Sequence, residues 1–160
     1  MKDHKGFRGY KFWKALTSFL IFAIIVVAVT FAFVYNQVWI GPAFIVLGLL
    51  NLLILKLFKI EFKSIYPDLI FGIIDNGVLV FAAVLGGKVA GIAGAIIGGA
   101  AGNTITDGIG GLFEGHLAEH QKQYQIDNHR TALSTSFGKM AGCLFGAGIG
   151  LLLVWLISLI

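Results

Sequence analysis

The sequence predicts an all-α integral membrane protein of five transmembrane helices, with the N-terminus cytoplasmic and the C-terminus outside. Three observations predict it. Of the 160 residues, 58% are hydrophobic and 12% are charged, and the mean hydropathy is +0.89. A small soluble domain has too little interior to hide that much apolar surface. The apolar residues also come in long runs. Ala15 to Tyr35 carries no charge, and a run of about 20 such residues crosses a bilayer as a helix. Threading the runs back and forth then puts nearly all Lys and Arg on one side, as the positive-inside bias requires.

Residues 1–14 read as a basic cytoplasmic tail. Lys2, Lys5, Arg8, Lys11 and Lys14 alternate there with Phe7, Tyr10, Phe12 and Trp13, which are interface anchors. The apolar run that follows is longer than the 7–15 residues or so of a signal peptide core, so an uncleaved anchor is expected. Residues 15–63 hold two anchor helices. The first covers Ala15 to Tyr35. Asn36-Gln37 turns the chain, and Trp39 marks the far interface. The second covers Ile40 to Phe58, and its one strongly polar residue, Asn51, reads as an interhelical hydrogen bond. Lys56, Lys59 and Lys63 then return the chain to the cytoplasmic side.

Residues 64–160 read as a three-helix core with glycine zippers. The third span starts at Pro67, a residue suited to a first helical turn, and ends at Gly86-Gly87. The fourth runs from Lys88 to Glu114. A polar cytoplasmic segment, His116 to Arg130, follows. His116, Glu119, His120, Asp127 and His129 within it read as a solvated loop rather than an accessory metal site. The last span begins between Thr131 and Gly138 and runs to the end. Gly91, Gly94, Gly98 and Gly102 form one small-residue stripe, and Gly138, Gly142, Gly146 and Gly150 another. Such stripes let helix backbones meet in lipid. Gly108, Gly110 and Gly111 are the candidates for a broken helix.

The candidate site follows from carboxylates in the apolar spans, each costing at least ~2.5 kcal/mol at membrane depth. Asp75 falls roughly 12 Å above the entry at Pro67, and Asp107 roughly 10 Å above the exit at Glu114. Asp68, Gly72, Asp75, Asn76 and Leu79 share one helical stripe; Asn103, Asp107 and Glu114 share another. If the stripes face, Asp75, Asn76, Asn103, Thr106 and Asp107 make an oxygen-only set. Hard cations such as Ca²⁺, Mg²⁺ and Na⁺ use that chemistry. No Cys or His lies at this depth, which argues against zinc. Asp68 and Glu114 sit shallower, at the inner mouth. Lys139 either snorkels to the inner surface or counters an empty site. Ser134, Thr135 and Ser136 either cap the last helix or add hydroxyl oxygens. The rival reading of the whole set is a buried hydrogen-bonded cluster with neutral acids.

Other chemistry is not expected. The net charge is +4, but the basic residues flank apolar spans, so lipid rather than nucleic acid is the partner. The single cysteine, Cys143, leaves no internal disulfide. There is no Gly-x-Ser-x-Gly element and no paired nucleophile and base, so neither an enzyme nor a cofactor is expected.

Three motifs in order resemble the transmembrane protein 65 family: Phe71-Gly72-Ile73-Ile74-Asp75-Asn76; Gly102-Asn103 with Asp107 four past the Asn; and Leu133-Ser134-Thr135-Ser136-Phe137-Gly138-Lys139. The likeness spans about Pro67 to Trp155. The family's animal members are mitochondrial inner-membrane proteins linked to sodium-dependent calcium efflux. The resemblance therefore implies cation exchange, with Asp75, Asn76, Asn103 and Asp107 at matching positions. Two extra N-terminal spans and the lack of a long transit region set this chain apart and point to a prokaryotic plasma membrane. The expected function is a cation transporter, exchanging a divalent ion such as Ca²⁺ for Na⁺ or H⁺. Three core spans are few to enclose a pathway, so a homodimer is expected. The alternative is a non-transporting scaffold or regulator of a partner channel.

Overall fold

The computed structural model describes residues 4–36, 39–124 and 131–158, and every element in them is α-helix. The helices are α1 (His4–Tyr35), α2 (Gly41–Leu57), α3 (Phe62–Tyr124) and α4 (Ala132–Ser158). Three of them, α1, α3 and α4, are long and apolar enough to cross a membrane, and α2 is a shorter apolar helix. Their outer faces are apolar too: Ile24, Val27, Phe31, Ile92, Ile96 and Ile97 are all exposed. A soluble protein would not present so large an apolar surface to water.

The apolar part of α3 covers 52 residues, roughly 78 Å at 1.5 Å per residue, more than twice a hydrocarbon core. It therefore folds back. The helix breaks at Ala90 (φ −135°, ψ 25°) and Gly91 (φ 61°, ψ −143°), the latter a conformation glycine adopts at no steric cost. The two arms pack antiparallel and very close. A Cβ on Gly94 would overlap the carbonyl of Gly86, and one on Gly98 that of Ala82; one on Gly102 would lie 3.4 Å from the Leu79 Cα. The last pair of the core, the first arm and α4, runs parallel. A Cβ on Gly72 would come within 2.6 Å of the Lys139 carbonyl, and one on Gly142 or Gly146 would overlap the carbonyl of Leu69 or Ile73. On its other side α4 meets α2 antiparallel, with Gly48 against the Phe145 ring and Gly41 against Gly148 and Leu151. α1 touches α4 more lightly, through Phe22 on Phe137 at 5.8 Å between centroids.

Several boundaries differ from the sequence expectation. α1 begins at His4, well inside the basic tail, rather than at Ala15. Pro67 sits inside α3, not in its first turn. The break falls at Ala90–Gly91 rather than Gly86–Gly87, and Lys88 rides on the first arm. Gly86 is used for arm contact instead, where its missing side chain matters more. The chain is helical through Gly108, Gly110 and Gly111, so the broken helix expected there is absent. Of the hydroxyls before Lys139, Ser134 serves as a cap: Thr131 N–H donates to Ser134 Oγ at 2.8 Å and Ser134 N–H donates to Thr131 Oγ1 at 3.1 Å, whereas Ser136 Oγ turns back to the Ala132 carbonyl of its own helix. The Thr131–Ser134 pair is a reciprocal capping box.

Asn51 departs from expectation in another way. It lies one turn from Leu47 and from Leu55, on the buried side of α2, in the part of the bundle where Phe22, Phe137 and Leu144 also pack. It is 0% exposed, and neither its Nδ2 nor its Oδ1 has a hydrogen-bond partner. An orphaned buried amide costs about 1–3 kcal/mol. Asn51→Leu should therefore keep the fold and raise the thermal unfolding midpoint in detergent; a lowered midpoint would mean the amide has a use. The glycines give a matched pair. Gly72→Ala should destabilise by about 1–3 kcal/mol, since its Cβ meets backbone atoms that have no room to yield. Gly108→Ala, whose Cβ meets nothing within 4 Å, should be neutral or stabilising by up to ~1 kcal/mol.

Candidate functional site

The antiparallel register of α3 decides which polar residues meet. Gly102 faces Leu79, so one turn further along Thr106 faces Asp75, and another turn brings Gly110 against Phe71. Asp75 is 8% exposed and Thr106 3%. The Thr106 hydroxyl donates to Asp75 Oδ1. The carbonyl oxygens of Gly102 and Asn103 each lie 3.1 Å from the same hydroxyl. One proton thus has three acceptors within reach, and four oxygens gather around one point inside the hairpin.

The remaining site residues do not join this group. Asp75 and Asn76 are neighbours, so their side chains leave the helix about 100° apart. Asp75 turns to the second arm, and Asn76 turns to α4, where its Nδ2 donates to the Cys143 carbonyl at 3.1 Å. The same geometry separates Thr106 from Asp107. With Thr106 facing inward, Asp107 is exposed and takes a 2.8 Å hydrogen bond from Asn103 Nδ2. The expected single set of Asp75, Asn76, Asn103, Thr106 and Asp107 is therefore divided: an inner group around Asp75 and Thr106, an outer one of Asn103 and Asp107, and Asn76 apart on α4. Among the described residues, no three of His, Cys, Asp and Glu converge as metal ligands.

The mouth residues separate as well. Asp68 is 1% exposed, with its Cβ 3.2 Å from where a Gly138 side chain would begin. Lys139 is half-buried, and its Nζ lies 4.9 Å from the centroid of the Phe71 ring. It is thus held against the first arm by a cation–π contact. The side chains of Glu114, Glu119 and His120, and the whole of Asp127 and His129, lie outside the described residues.

A cleft of about 330 Å³ opens between the arms below the inner pair. Asp68, Phe71 and Ile74 line it from the first arm, and Thr106, Gly110 and His116 from the second. Sequence reasoning missed Phe71, Ile74 and Gly110 as part of the site. The usable signal was a lone aromatic one turn from Asp75 facing a glycine one turn from Thr106, visible only once the turn at Gly91 fixes the register. No known protein family matches this chain, and neither the curated proteins nor the solved structures contain a match.

Proposed function

We propose that the protein is a cation transporter threading its membrane five times, N-terminus cytoplasmic and C-terminus outside. α1, α2, the two arms of α3 and α4 are the five passes. The packing directions of α2, the two arms of α3 and α4 support this threading, as do the basic residues it gathers on one side. The observation that carries the function is Asp75: a carboxylate buried at membrane depth, between two backbones packed through glycine, against a single hydroxyl. A carboxylate kept there is costly and marks an ion path by default.

The ion would take Asp75, the Thr106 hydroxyl and the nearby Gly102 and Asn103 carbonyls. These are all-oxygen donors suited to Na⁺, Ca²⁺ or Mg²⁺. Asn76 positions the first arm against α4 and offers its Oδ1. The outer pair, Asn103 and Asp107, faces away from the protomer. A homodimer would bring two such pairs together and complete a second set of ligands. Asp68, Glu114 and Lys139 would set the charge at the inner mouth. Movement of one glycine-lined helix past another supplies alternating access. The resemblance of three motifs to the transmembrane protein 65 family favours Ca²⁺ exchanged for Na⁺, or H⁺ in place of Na⁺, and the charge pattern suits a prokaryotic plasma membrane.

One observation favours the second reading, a non-transporting scaffold or regulator of a partner channel. Asp107 is satisfied locally by Asn103 instead of facing Asp75. Counterflow in proteoliposomes separates the two. The transporter reading expects Na⁺- or H⁺-driven Ca²⁺ uptake that falls at least tenfold in Asp75→Asn and in Thr106→Val. Uptake unchanged in both variants would remove the assigned site. A folded wild-type protein that moves neither Ca²⁺, Mg²⁺ nor Na⁺ would favour the scaffold.

A further inference from the structure

The connection between α2 and α3 carries a lysine where its backbone favours glycine. α2 ends in a Schellman motif: Lys59 N–H donates to the Lys56 carbonyl at 3.0 Å, and Ile60 N–H donates to the Leu55 carbonyl at 3.1 Å. Lys59 takes the left-handed position of that motif, with φ 56°. Among the described residues, no other residue but glycine has a positive φ. A side chain there is opposed by its own backbone, so glycine is the usual occupant. Ile60, the next residue, packs on the core cluster that contains Leu55. The turn is thereby held against the bundle.

Lys56 in the last turn of α2 and Lys63 at the start of α3 flank it, and all three lysines are exposed. Leu57, Phe58, Phe62 and Tyr66 among them are exposed too. Ammonium groups interleaved with apolar rings suit the boundary between headgroups and acyl chains. Three lysines against one acid, Glu61, leave the connection cationic. The positive-inside bias asks for lysines somewhere on this connection. It gives no reason for one at the single position that strains a side chain. Strain kept in a backbone points to a use for the group that causes it.

We propose that this connection is a binding surface for the headgroups of anionic phospholipids, with Lys56, Lys59 and Lys63 meeting the phosphates. The proposed threading enters only by placing the connection at the inner membrane surface. The cation site plays no part in it.

Thermal unfolding of the full chain in a neutral detergent, with phosphatidylglycerol or phosphatidylcholine added, tests it. Phosphatidylglycerol should raise the midpoint and phosphatidylcholine should not. The rise should shrink by more than half between about 50 and 500 mM salt. Lys59→Gly should have two opposite effects. Without lipid it should unfold at a higher temperature than the wild type, because glycine relieves the turn. With phosphatidylglycerol it should gain less than half of the wild-type rise. Lys56→Gln and Lys63→Gln should lose comparable shares. Lys88→Gln removes the same charge from an exposed site near the other end of the first arm, and it should keep the full rise. Lys59→Asn also tolerates this backbone, and it serves if Lys59→Gly does not elute as a folded species. A full rise in the Lys59 variants, an equal loss in Lys88→Gln, or an equal rise from phosphatidylcholine or from inorganic phosphate alone would each overturn the proposal. So would a lowered lipid-free midpoint in both Lys59 variants, since Lys59 would then serve the turn itself.

Discussion

Everything in this bundle depends on how closely the first arm of α3 approaches α4. Lipid gives helices no hydrophobic reason to associate, so contact must come from packing and polar links. At Gly72, Gly142 and Gly146 the backbones sit so near that a single added carbon would overlap or crowd main-chain atoms of the facing helix. That proximity sets the parallel register of α3 on α4. It also brings the Cys143 carbonyl within reach of Asn76. The turn at Gly91 then fixes the second arm against the free side of the first. The position of Asp75 opposite Thr106 is a consequence of these two registers.

The legible part of the structure was what periodicity and composition encode. Apolar runs gave the helices, and recurring glycines gave the close contacts. Asp75 lies on the stripe expected to be buried and is buried, but the second-arm stripe was expected through Asp107, which is exposed, and the buried residue is Thr106 beside it. What could not be read was rotation. Asp75 and Asn76, or Thr106 and Asp107, are adjacent in sequence, and one residue of rotation decides which of each pair faces the neighbouring arm. A shared stripe permitted Asp107 to face Asp75. The observed register gives that place to Thr106. The same limit explains the misplaced break. Gly86-Gly87 and Gly91 are equally good turn residues by type, but only Gly91 can turn without removing Gly86 from the arm contact.

The polar groups of the bundle fall into three energetic kinds. The hydroxyls of Thr17, Thr30, Thr104 and Ser136 return to carbonyls four residues back, which satisfies them within their own helix and leaves neighbours indifferent. Asn76 links two helices and fixes them. Asn51 does neither, and it stands in the interface of α2 with α4, where no glycine stripe as dense as that of the core enforces contact. Polar residues are retained at such cost in membranes chiefly where a second arrangement, a partner or water uses them.

The two polar links across the core also differ in what it costs to break them. Separating Asn76 from α4 breaks its 3.1 Å hydrogen bond to the Cys143 carbonyl, a side-chain link between the two helices. Separating Thr106 from Asp75 strands no donor. The hydroxyl already has the Gly102 and Asn103 carbonyls at 3.1 Å, and it keeps its proton bonded by turning to either. Only the carboxylate is left bare, and a bare buried carboxylate is the group a cation satisfies. On the proposed reading, opening the hairpin of α3 exposes a carboxylate that an ion can satisfy, whereas separating the first arm from α4 at Asn76 exposes none. On the proposed transport reading, the separation this geometry favours is between the arms, with Asn76 kept on α4.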